Sequence, residues 1–145
     1  MLRLRGETPE LAGPCGPDPW YLEVGTGEDP VEVVARLAGS LMGPPTLVHS
    51  TSWRRARGGV VLTFLIVNAD DQAPELPGLP LRRAELARSG ATRAAREIST
   101  DQVLEHALRH LAWLATDDPA VRAALDGRWR SLLADYVPEP FRHIG

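Results

Sequence analysis

The chain contains no lysine; all sixteen of its basic residues are arginine. Schiff-base chemistry and a lysine general base are thereby excluded. A single cysteine, Cys15, rules out an internal disulfide and fits a reducing compartment. It stands in Gly13-Pro-Cys-Gly-Pro, a loop sequence in which the thiol reads as a bystander. No run of about twenty apolar residues is present, and Met1-Leu-Arg-Leu-Arg lacks the apolar stretch of a signal peptide. These absences predict a cytoplasmic protein with no membrane partner. A net charge of -3 argues against a general nucleic-acid binder, because neutralising phosphates needs a basic face. A local arginine patch stays open.

What is present is enough apolar material for a core. At 145 residues and 43% hydrophobic, the chain is expected to form a single domain over 1–145, folding without metals or disulfides. Arginine in place of lysine, with abundant Ala, Gly and Pro, predicts a GC-rich bacterial gene. Residues 1–19 are punctuated by Pro and Gly, with Leu2-Arg-Leu-Arg as an edge strand, and Trp20 to Val24 reads as a short strand. A helix follows, capped by Asp29, entered through Pro30 and closed by Gly43, with Val34, Leu37, Ala38 and Leu41 as its apolar stripe. Thr46 to Trp53 and Val60 to Val67 form a hairpin through Arg54 to Gly59, where glycine supplies positive φ. The second of these strands is apolar on both faces and is expected to be central and covered on both sides. Residues 69–97 read as a long loop that either contains a short edge strand near Leu81 to Leu86 or acts as a lid. Residues 98–136 are helical: Ser99 and Gln102 form a capping box, and a helix beginning at Asp118-Pro119 and a shorter one over Arg128 to Tyr136 follow. The predicted class is α+β, a small mixed β-sheet flanked by helices, built on a β-α-β-β core with C-terminal helices.

Gly27-Glu28-Asp29-Pro30, Arg36 eight residues after Glu28, and Gly43 seven residues further on have the order of a Nudix box. Over residues 20–68 the chain resembles a degenerate Nudix domain. The three later glutamate positions of that pattern are Leu37, Ser40 and Leu41, its opening glycine is Leu22, and its closing aliphatic is Pro44. In the family those glutamates hold a divalent cation, so the resemblance implies the shape of the element without its chemistry. The function it implies is a non-catalytic protein that binds a small ligand or a protein partner, with no cofactor. The alternative is a hydrolase of phosphate-containing metabolites whose magnesium ligands have moved to Glu28, Asp70 and Asp71, with Glu32 and Glu75 nearby in sequence.

Two other constellations carry chemistry. On the first hairpin strand the two-residue period places His49, Thr51 and Trp53 on one face and Val48, Ser50 and Ser52 on the other. His49, Thr51 and Trp53, with Arg54 and Arg55, are the candidate ligand-binding residues, since hydroxyls and an imidazole beside an apolar strand orient small ligands. Arg57, Arg82 and Arg83 are further guanidinium forks suited to phosphate. His106 and His110 have the helical spacing that holds zinc when a third ligand arrives, the candidates being His49, His143, Glu105 and Asp117. Glu105 precedes the first histidine, so the pair lacks the base of a metalloprotease motif. Its helix is expected to bury Leu104, Ala107, Leu108, Leu111, Leu114 and Ala115, with Glu105, Arg109 and Ala112 opposite. A third reading uses the His106, His110 and Trp113 edge for assembly with a partner or as a homodimer.

Overall fold

The computed structural model describes residues 1–13, 20–56, 58–68, 76–85 and 99–139. Among them are a mixed five-stranded sheet and four helices, an α+β arrangement. The chain divides into two compact units, Met1–Pro80 and Leu81–Gly145. None of the described helices is long and apolar enough to cross a membrane.

The first unit holds the sheet, made of β1 (Leu2–Arg5), β2 (Thr8–Ala12), β3 (Leu47–Ala56), β4 (Gly59–Asn68) and β5 (Gly78–Pro80), in the order β3-β4-β1-β2-β5. Every neighbouring pair is antiparallel except β1 and β4, where Leu2 lies beside Val67 and Arg3 beside Asn68. The N-terminal strand is therefore the middle of the sheet and not its edge. Leu2 and Leu4 are buried, as is Arg3 through its pair with Glu10, and a strand that buries two leucines gains more by insertion than by lying at a rim. Trp20 to Val24, expected as a strand, has no strand pairing, and Tyr21 is exposed. β1 takes the place beside β4 that this segment would need. The short edge strand expected near Leu81 to Leu86 is not there: residues 81–85 are outside any strand, and the edge strand is β5, which ends before that span.

β4 is an inner strand, as its composition predicts, but only its second half is enclosed. Leu65, Ile66, Val67 and Asn68 are buried, whereas Gly59, Val60 and Leu62 are exposed. The helix α1 (Pro30–Met42) covers the enclosed half from one side: Val34 and Ala38 pack on Ile66, with Leu22, Val48 and Phe64 around them. Asp29 caps α1 by accepting from the Val31 N–H at 2.7 Å, and Gly43 ends it at φ 78°, a conformation that favours glycine. The buried residues of α1 are Val33, Val34, Ala38 and Met42, while Leu37 and Leu41 are half-buried. The apolar arc on this helix is wider than its contact, and the sheet chose the side centred on Ala38. Asn68 holds the far end by donating its amide to the Met42 carbonyl.

The second unit is built on α2 (Thr100–Asp117), with α3 (Pro119–Ala124) and α4 (Gly127–Leu133) packed against it. The Ser99 and Gln102 capping box forms as expected: the Ser99 N–H donates to Gln102 Oε1 at 3.0 Å and the Gln102 N–H to Ser99 Oγ at 3.3 Å. Asp118 and Asp126 cap the two short helices. Leu104, Ala107, Leu108, Leu111 and Leu114 are buried as their spacing predicts, but so are Glu105, His110 and Ala112, and Ala115 is only half-buried. The face expected to meet solvent is thus largely enclosed, because α2 has neighbours on more than one side. Trp129, Leu125, Leu133 and Tyr136 complete this core.

Candidate binding surface on the β3–β4 hairpin

β3 and β4 run past the end of α1, and what they expose there is set by a bulge. Ser50 pairs with Phe64 and Ser52 with Thr63, so Thr51 is an extra residue on β3. Its side chain is buried and its hydroxyl donates to the Thr63 carbonyl at 3.3 Å. One inserted residue reverses the alternation of everything beyond it. His49 pairs with Leu65 and Trp53 with Leu62, neighbours of opposite parity on β4, so His49 and Trp53 lie on opposite faces. The single face proposed for His49, Thr51 and Trp53 is therefore corrected. His49 is half-buried on one face, Thr51 is spent in the bulge, and Trp53 stands on the other face with Val48, Ser50 and Arg55.

Beyond the bulge the α1 side of the hairpin carries Trp53 opposite Leu62 and Arg55 opposite Val60. Trp53 is 67% exposed, Val60 59% and Leu62 41%. Together these three side chains form an uncovered apolar patch continuous along the strands with the Val48, Phe64 and Ile66 core. Arg55 flanks it on the same face, and Arg54 is exposed on the reverse face beside Val61. Between Leu47 and Asn68 the chain has three arginines and no carboxylate. Among the described residues, no strand pairs with the outer edge of β3. The turn is permitted by Gly58 at φ 84°.

The remaining candidates are dispersed. Glu28 accepts from the Gly25 N–H at 2.8 Å and forms an exposed ion pair with Arg36 at 3.7 Å. Those two residues thus fasten the entry loop to α1. Asp70, Asp71, Glu75, Arg57 and His143 lie outside the described residues. His110 is buried and its ring lies 5.5 Å from that of Trp113, while His106 is half-buried. Among the described residues, no group of three or more His, Cys, Asp or Glu side chains converges to hold a metal ion.

Two buried ion pairs were not legible as such. Arg3 donates to Glu10 from Nε at 3.1 Å and from Nη2 at 3.0 Å, and Nη2 also donates to the Leu76 carbonyl at 2.7 Å. Gly78 stands against this pair, and a β-carbon there would overlap the Glu10 carboxylate. In the second unit Glu105 accepts from Arg83 Nε and Nη2 at 3.0 and 3.1 Å and from Arg109 Nε at 2.9 Å. Burial raises the Glu105 carboxyl, but these donors and the Ala84 N–H outweigh it and hold the group below the usual range. Arg83 also lies over the Tyr136 ring, 4.0 Å from its centroid. The signal for this cluster was an acid and a base four residues apart on one helix, Glu105 and Arg109, which ordinarily marks a solvated face.

No protein-family model, curated protein or solved structure matches this chain.

Proposed function

We propose that this protein is a non-catalytic binding module whose working surface is the distal half of the β3–β4 hairpin. The observation that carries the reading is the exposed Trp53, Leu62 and Val60 patch flanked by Arg55, with Arg54 exposed on the reverse face. A tryptophan on a strand beside arginines has the composition of an interface centre, where aromatic and guanidinium groups supply most of the binding energy. The Nudix-like relation belongs to the same proposal: Glu28 and Arg36 pair with each other, and Leu37, Ser40 and Leu41 offer no carboxylates at the positions where the family holds its cation.

The test is a hydrolysis panel of nucleoside diphosphate derivatives with magnesium or manganese. No metal-dependent turnover is expected. Turnover abolished by Glu28→Gln replaces the binding module with the hydrolase.

A further inference from the structure

Resting on that reading, we infer that the occupant of the hairpin is an extended acidic peptide segment that adds to β3 as a further strand. Among the described residues β3 is a terminal strand of the sheet, so the backbone N–H and C=O groups on its outer side can be completed by an incoming strand. Strand addition takes its affinity from those main-chain bonds and its selectivity from alternate side chains. Here the alternation is supplied beyond the bulge. Trp53 and Arg55 project on the face shared with Leu62 and Val60, and Arg54 projects on the reverse face. An added strand would lay an apolar side chain against Trp53 and carboxylates beside Arg54 and Arg55.

Charge chooses between occupants. The hairpin holds three arginines without an acidic residue in a chain whose net charge is -3. Among the described residues no carboxylate pairs with Arg54 or Arg55. Exposed charges and a bulge on an edge strand are also the devices that keep strands from aggregating. Those two functions coincide here. Guanidinium groups on the rim repel a basic strand and leave a neutral one without a charge partner, while an acidic strand meets opposite charge. Trp53 offers a stacking surface for one base only, and the aliphatic Val60 and Leu62 beside it extend no such platform, which favours a peptide over a nucleic acid.

The experiment is fluorescence anisotropy with the full chain and a short labelled peptide whose central leucine is flanked on each side by two glutamates, so that the leucine can meet Trp53 with carboxylates beside Arg54 and Arg55. The same peptide with lysine in place of glutamate and a labelled oligothymidylate serve as comparisons. The acidic peptide is expected to bind, the lysine peptide not to bind, and binding to weaken with salt. Arg54→Glu with Arg55→Glu, and separately Trp53→Ser, are each expected to weaken it by about ten-fold or more. All three positions are exposed, so far-UV circular dichroism is expected to stay that of the wild type. Peptide binding that survives both variants overturns the inference. Tighter binding of the oligonucleotide, or self-association of the chain lost in Trp53→Ser, overturns the acidic occupant and leaves the hairpin as the working surface. Failure of every probe, with no self-association, overturns the occupant and the binding module together.

Discussion

Replacing Glu105 by glutamine removes the charge from the centre of the second unit while keeping its shape. The carboxylate is buried, and it accepts from two guanidinium groups of different standing. Arg109 is 21% exposed and cannot readily exchange its partner for water, whereas Arg83 is 53% exposed and can. A hydrogen bond to a charged group contributes about 1.5–3 kcal/mol, and that estimate applies to Arg109. The Arg83 share is discounted to about 0.5 kcal/mol because solvent screens it. Glu105→Gln is thus expected to destabilise by about 2–3.5 kcal/mol near neutral pH. The folded carboxyl lies below its ordinary value of 4.5, so its contribution is fully present above that pH and is lost as pH falls through the folded value. The deficit of the variant should therefore shrink on acidification. Urea unfolding followed by far-UV circular dichroism, at about pH 7 and about pH 3, measures both effects. A loss under about 0.5 kcal/mol at neutral pH, or one equal at both pH values, refutes the assignment of Glu105 as a charged structural acceptor.

In the same unit, Trp129→Ala empties a completely buried site and should cost about 3–5 kcal/mol by denaturant titration. Gly78→Ala forces a β-carbon against the Arg3 and Glu10 pair and should lower stability by about 1–3 kcal/mol, visible as a depressed melting temperature. On α1, Met42→Ala should cost about 2–4 kcal/mol and Leu41→Ala about 1–2, because Met42 is buried and Leu41 half-buried; equal losses would restore the stripe centred on Leu37 and Leu41. Deleting Thr51 should remove the bulge while leaving Ser52 opposite Thr63 and Trp53 opposite Leu62, so that Trp53 keeps its face and its exposure to an acrylamide quencher; a marked loss of quenching would refute the assignment of Thr51 as the extra residue.

Local rules decided the elements with local causes. Asp29 and Gly43 set the ends of α1, Ser99 and Gln102 start α2, and Gly58 makes the hairpin turn, each through backbone geometry within a few residues of itself. The α+β class followed from the same signals. The sequence also determined that no carboxylate stands at Leu37, Ser40 or Leu41, and that the hairpin is basic. Which strand sits in the middle of the sheet depended on competition for β4: β1 and the Trp20 segment both read as strands, and only long-range pairing distinguishes them. The candidate surface was half legible for a related reason. Trp53, Arg54 and Arg55 were identifiable as residues, but a single bulge at Thr51 decided which side of the sheet each one faces. An alternating pattern carries no record of where its period slips. Likewise Glu105 and His110 are polar residues whose burial depends on neighbours far along the chain: Arg83 neutralises the first, Trp113 stacks beside the second, and α3 and α4 enclose the helix that bears both. Tertiary structure decided these positions because the energy of a buried charge lies in partners that only folding brings within reach.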